Sequence, residues 1–125
     1  MVDITPVIPA GRRLIQGYGD GRFRISGVVY EGSVLVFPSS VAAWSIIDPS
    51  AVTVETLGPV LEPERRVQIL LLGCGPRGTA VAPDLRQTLR RAGIIVEAMD
   101  TGAACRTYNV LMAEDRPVAA ALIAV

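Results

Sequence analysis

Three apolar runs in the second half of the chain, "VQILLLG" at 67–73, "IIVEAM" at 94–99 and "VAAALIAV" at 118–125, alternate with two segments of helical pattern. Apolar runs of this kind are what strands covered on both faces look like. Between the first two, "PDLRQTLRRAG" puts Leu85 and Leu89 on one stripe, with Pro83 in the first turn and Gly93 at the stop. Between the last two, Asp100 or Thr101 caps "GAACRTYNVLMAE", where Ala104, Tyr108, Leu111 and Met112 share a face, and Pro117 ends the helix. Strand–helix–strand–helix–strand order implies right-handed crossovers and an α/β layered sheet. No linker or internal repeat divides the chain, and 125 residues suit a single domain over 1–125.

The first half carries weaker signals. Residues 1–21 hold three prolines or glycines in the first eleven positions and then "GYGDG", and they read as irregular, with 1–16 an N-terminal arm. "RFRISGVV" alternates: Phe23, Ile25 and Val29 share a face with Gly27, and Arg22, Arg24 and Ser26 take the other. "YEG" then reads as a turn, and "SVLVF" as the second arm of a hairpin ended by Pro38. "SSVAAWSIIDPS" reads as an irregular, partly buried connection. Thr53 can cap a short helix over "VETLGPVLE", which Pro59 bends or ends. The expected fold is α/β: one domain with a mixed β-sheet, a βαβαβ C-terminal half, an N-terminal β-hairpin and flanking helices.

Composition narrows the chemistry. The chain has no histidine and no lysine, so all twelve cations are Arg. Histidine triads, histidine metal sites, Schiff-base lysines and the P-loop lysine are therefore absent. Twelve acidic residues balance the charge, and the arginines are scattered, so no nucleic-acid partner is expected. Cys74 and Cys105 lie 31 residues apart and form no C-x-x-C; they read as reduced thiols, with a disulfide left open. The longest apolar run has 8 residues, against the roughly 20 a membrane span needs. With no signal pattern at the start, a soluble cytoplasmic protein is expected.

"LLLGCGPRG" at 70–78 sets Gly73, Gly75 and Gly78 in G-x-G-x-x-G spacing after a strand, with Glu97 placed 19 residues on. A dinucleotide fold puts the third glycine inside the first helical turn, where free N–H groups face the pyrophosphate. Here "TAVAP" delays the helix by five residues, about 7 Å at roughly 1.5 Å per residue. Pro76 also removes one N–H from the loop. No cofactor is expected; the loop reads as a tight turn, or as one wall of an anion or small-ligand pocket reached by Arg77.

"MDTGAACRTYNVL" at 99–111 gathers Asp100, Thr101, Cys105, Arg106, Tyr108 and Asn109 after a strand's carboxyl end, at the same edge as the glycine loop if the strands are parallel. The candidate ligand or partner site is Gly73, Gly75, Arg77, Asp100, Thr101, Cys105, Arg106, Tyr108 and Asn109. In one reading Arg77 and Arg106 bind an anion, Asp100 serves as base or orienter, and Cys105, near a helix N-terminus, is a nucleophile. In the other, Asp100 and Thr101 cap the helix, Cys105 packs, and Asn109 ties down a loop.

"YGDGRFRISG", "YEGSVLVFP", "LLLGCG" and "DTGAACRTYNVL", in that order, resemble the family of mitochondrial complex I assembly factor 3 and its bacterial and archaeal Mth-type domains of unknown function. The resemblance runs from about Gly17 to the C-terminus and is most specific over Asp100–Leu111. It implies a three-layer fold and no established catalytic activity. It also implies a protein partner, either an assembly factor or a subunit of a membrane complex, with room for peripheral association at the inner membrane. Relatives commonly read Gly-Thr-Gly where this chain has Gly73-Cys74-Gly75, so no obligatory role attaches to Cys74. The first residues carry no mitochondrial presequence, which suits a bacterial member. Surplus apolar surface would mark a partner or homo-oligomer interface.

Overall fold

The computed structural model describes residues 11–125; residues 1–10 of the expected arm lie outside it. The second half follows the sequence pattern closely. Strand β6 (Ile69–Gly73), helix α1 (Pro83–Arg91), strand β7 (Ile95–Met99), helix α2 (Thr101–Ala113) and strand β8 (Val118–Leu122) succeed one another. Pro83 opens α1, and the Ile94 N–H returns to the Leu89 carbonyl at 2.9 Å across Gly93, which closes the helix. Asp100 is the N-cap of α2, its carboxylate accepting the Ala103 N–H at 2.9 Å.

Among the described residues of the first half there are five strands rather than two. Strands β1 (Ile15–Gly19), β2 (Arg22–Ile25) and β3 (Val28–Glu31) form an antiparallel sheet of their own in that order. Strand β1 thus begins within the segment read as an irregular arm. The stretch read as one strand is broken by a two-residue turn at Ser26-Gly27, where both residues take positive φ, 46° and 84°. Asp20-Gly21 makes the same kind of turn between β1 and β2, with φ of 52° and 71°. Both turns suit the right-handed twist of the strands they join. The consequence for burial is direct: Phe23 and Ile25 are fully buried, whereas Val29 is 57% exposed.

The predicted partner arm went elsewhere. "VLVF" is strand β4 (Val34–Phe37), and it pairs with β8 and with β5 (Ser40–Ala43) rather than with β2 or β3. The segment expected to be irregular therefore supplies an edge strand. Trp44, just past it, is buried and donates its indole N–H to the Thr56 carbonyl at 2.8 Å. The helix there is a 3-10 helix, Glu55–Leu61, that contains Pro59; its N-cap is Val54 rather than Thr53, although Thr53 Oγ1, one residue earlier, accepts the Thr56 N–H at 3.3 Å.

The main sheet has the order β5-β4-β8-β6-β7, with β6 parallel to both neighbours and β4 antiparallel to β8 and β5. It is the middle of three layers. Leu35, Leu70, Leu72 and Ala121 face α1 and the 3-10 segments, where they pack with Leu85, Leu89 and Leu57. Val36, Leu71, Ala120 and Leu122 face α2 and the small sheet, where they pack with Tyr108, Met112 and Phe23. Alanine is a poor strand former. Three of them in β8 nevertheless suit a central strand covered on both faces, because small side chains admit close layers.

Candidate functional site

Parallel strands β6 and β7 end at one edge, and their crossovers leave to opposite faces, α1 to one and α2 to the other. Open α/β sheets bind ligands in the crevice so formed. In this chain hydrogen bonds close that crevice. The Cys74 N–H donates to the Met99 carbonyl at 2.8 Å, and the Thr101 N–H to the Gly75 carbonyl at 2.8 Å. The Gly75 N–H donates to Thr101 Oγ1 at 2.9 Å, and that hydroxyl donates to the Ile123 carbonyl at 2.7 Å. The Ile123 N–H completes the circuit at the Gly73 carbonyl, 2.9 Å away. These bonds tie together the carboxyl ends of β6, β7 and β8, and they occupy loop N–H groups that a phosphate would need.

The glycine pattern is explained by two positions. A Cβ on Gly73 would sit 3.0 Å from Leu122 Cδ2 and 3.1 Å from Thr101 Cα, too close for any side chain without movement. Gly75 has φ +97°, which only glycine adopts readily. At Gly78 neither constraint holds, since a Cβ would meet Met99 and Asp100 at ordinary contact distances, 3.7 Å and beyond. The G-x-G-x-x-G spacing is thus a pair of structural glycines followed by an unconstrained third.

The remaining candidates divide by direction. Asn109 holds β1 through both ends of its amide: Oδ1 accepts the Ile15 N–H at 2.9 Å and Nδ2 donates to the Ile15 carbonyl at 2.7 Å. Tyr108 is buried and donates its hydroxyl to the Arg13 carbonyl at 3.0 Å. Arg106 is exposed, and its Nη1 donates to the Tyr18 hydroxyl at 3.2 Å. Cys105, one residue earlier and so about 100° around the helix, points into the core instead. Arg77 is exposed on the loop, and no hydrogen bond or ion pair joins it to the other candidates among the described residues. The structure brings Gly73, Gly75, Asp100 and Thr101 together; it does not bring Cys105 and the two arginines to one point.

Burial pushes the Cys105 thiol up to about 12, with Arg106 opposing and Asp100 adding to the rise. Burial also raises Tyr108, against the pull of Arg12 and Arg13, and raises Cys74, against hydrogen bonds from the Thr79 and Met99 backbone. A helix N-terminus activates a thiol only where the thiolate can be solvated or paired. Both cysteines are free, and they lie on opposite faces of the main sheet, so they cannot pair in this fold.

The raised Cys105 value has a measurable consequence. Between its ordinary value of 9.0 and about 12, the unfolded chain releases the thiol proton while the folded chain keeps it. The unfolded state then binds fewer protons, so stability falls as pH rises, by at most about 1.4 kcal/mol per pH unit from this group. Urea unfolding at about pH 8 and about pH 10 should show that loss, and Cys105→Ala should show a shallower one. An equal slope in the variant would remove Cys105 as its source.

A cleft of about 390 Å³ lies on the α1 side of the same sheet edge, lined by Asp48, Val52, Leu72, Cys74, Val81 and Leu85 among others. Sequence reading missed it because residues 48–52 look like plain connection; the one local signal is "IIDPS", a turn-forming Asp-Pro after Ile46, which is buried, and Ile47, which is exposed. Among the described residues no group of three or more potential ligands is placed to hold a metal ion, and no helix is long and apolar enough to cross a membrane.

Fold and site together define a three-layer α/β domain whose parallel-strand crevice is sealed from within. A Bordetella pertussis protein described as a Mth938-like domain shares that fold, with a TM-score of 0.83 and 28% identity over 98% of this chain and 92% of that one. Residues 15–123 match a family described as "Protein of unknown function (DUF498/DUF598)", and the chain belongs to that family. It is similar to an uncharacterised Rhodobacter capsulatus protein, 36% identical over 114 residues, covering 91% of this chain and 86% of that protein. It is also similar to a Danio rerio protein named NADH dehydrogenase (ubiquinone) 1 alpha subcomplex assembly factor 3, 34% identical over 110 residues and 88% of this chain. The chain matches 63% of the length of that assembly factor. The family resemblance read from "DTGAACRTYNVL" is therefore borne out.

Proposed function

We propose that this chain is a non-enzymatic protein-binding module that aids assembly of a membrane-associated respiratory complex, through contact with an assembly factor or a subunit of that complex. The observation that carries the reading is the 34% identity to a named assembly factor over 88% of the chain. The geometry supports it. In this reading Gly73, Gly75, Asp100, Thr101, Tyr108 and Asn109 are framework residues whose polar groups serve internal bonds, and Cys105 is core. Arg77 and Arg106 are exposed cations available to a partner. The module works on the cytoplasmic side, at the surface of the inner membrane, without spanning it.

The test is deletion of the gene in its own organism, followed by native electrophoresis of solubilised membranes stained for NADH dehydrogenase activity. Loss of the assembled complex is expected, with recovery from the wild-type gene and equally from one carrying Cys105→Ser. Normal assembly in the deletion strain would overturn the reading. A folded Cys105→Ser protein that failed to restore assembly would point to thiol chemistry instead.

A further inference from the structure

The 390 Å³ cleft does not stand alone. A second cleft of about 280 Å³ shares Val52, Ala82 and Leu85 with it, so the two form one groove between residues 48–55 and the first turns of α1. Its floor is aliphatic, with Leu72, Val81 and Leu85 in the first part and Val54 in the second. Its rim is acidic: Asp48 borders the first cleft, and Glu55 and Asp84 border the second. No arginine lines either part. Ile47, next to Asp48, is 85% exposed, the highest value among the exposed large apolar side chains of the described residues.

Among the described residues, Asp48, Glu55 and Asp84 join no ion pair. Asp48 accepts only the Ser50 N–H and hydroxyl, each at 2.8 Å, which holds its carboxyl below the usual range. The larger groove of about 690 Å³ at the other end of the sheet differs in this respect. There Arg12 pairs with Asp115 at 2.7 Å and Arg65 with Glu62 at 3.2 Å, and cations and anions line the walls together. An apolar floor inside a single-sign charged rim is the layout of a docking surface, in which the centre supplies desolvation and the rim selects the partner.

We propose that the groove between residues 48–55 and α1 receives a segment of a protein partner that presents bulky apolar side chains flanked by Arg or Lys. This rests on the protein-binding reading above and adds the chemistry of the partner. The partner's apolar side chains cover Val52, Val81 and Leu85, its cations meet Asp48, Glu55 and Asp84, and Ile47 packs against its outer surface. A length of chain fits better than a compact solute, because the acids are spread along two joined clefts.

The test selects a displayed library of random short peptides on the whole protein and measures the enriched peptides, once synthesised, by fluorescence anisotropy. Enrichment of Arg or Lys beside bulky apolar residues is expected, with amide chemical-shift changes confined to residues 47–56 and 79–88. The variant Asp48→Asn/Glu55→Lys/Asp84→Lys, whose Asn keeps the local cap, should bind these peptides about tenfold more weakly or worse, with a smaller deficit at high salt. Ala82→Phe, which fills the shared wall without altering charge, should lose binding by a separate route. No enrichment, acidic peptides, or shifts elsewhere would overturn the proposal. Self-association that the triple variant abolishes would also overturn it, by making a second copy of the chain the occupant. If the triple variant restored complex assembly in the deletion strain as well as wild type does, this surface would fall while the assembly function stood.

Discussion

Replacing Thr101 by Val will destabilise the protein by about 2–6 kcal/mol, read as a lower urea midpoint at unchanged slope. Thr101 has no exposed surface, and its hydroxyl both accepts from the Gly75 N–H and donates to the Ile123 carbonyl. Valine matches the shape and satisfies neither group. A buried N–H and a buried carbonyl then lose their partners together, at about 1–3 kcal/mol for each. Thr101→Ser keeps the hydroxyl and should stay within about 1.5 kcal/mol of wild type, the cost of a buried methyl. A loss below about 1 kcal/mol in Thr101→Val would mean that these bonds do not hold the strand ends shut. The crevice would then have to be reconsidered as a site that opens.

Phe23→Ala should cost about 3–5 kcal/mol, the range for removing a buried aromatic side chain. Phe23 lies between the small sheet and α2, in a cluster with Ile25, Tyr108 and Met112, and has no exposed surface. Asn109 and Tyr108 also fasten the first strand to α2, but by hydrogen bonds to Ile15 and Arg13 rather than by apolar contact. Val29→Ala is the control. A single strand over residues 22–29 would bury Val29 beside Phe23, whereas the observed turn at Ser26-Gly27 leaves it 57% exposed. Its loss should remain within about 0.5 kcal/mol. Comparable losses at the two positions would contradict the strand boundaries described above.

The two halves of the chain differ in legibility for a physical reason. In the second half each strand is buried on both faces and each helix on one, so hydrophobic period and element type coincide. Pro83, Gly93 and Asp100 punctuate it at the boundaries and the structure uses all three there; α2, expected to run to Pro117, stops at Ala113, where Asp115 takes φ 58° and the Arg116 N–H returns to the Leu111 carbonyl at 2.9 Å. In the first half the two turns that matter are Asp20-Gly21 and Ser26-Gly27. The first is a strong hairpin dipeptide that the surrounding glycines disguise as irregular chain. The second preserves the alternation of "RFRISGVV", so the period reads straight through the reversal. Strand β4 was recognisable as a strand, but nothing local distinguishes pairing with β3 from pairing with β8.

The site was legible as a place more than as a mechanism. That the glycine loop and the start of α2 share one edge follows from parallel strands and their crossovers. That Thr101 fills the crevice between them depends on a hydroxyl meeting a carbonyl 22 residues away. Asn109 meets Ile15 across 94 residues, and no spacing rule reaches so far. The acid-rimmed groove is less local still, since Asp48 and Asp84 come from segments with no pattern in common.

Periodicity and punctuation, which act between neighbours along the chain, were enough to establish the βαβαβ half and the starts of its helices, and composition alone removed histidine and lysine chemistry. The pairing of β4, the separate small sheet, the sealed crevice and the groove arise from contacts between residues far apart in sequence. Those contacts form because buried backbone groups must find partners and apolar faces must find cover, and which ones meet is settled by packing of the whole chain.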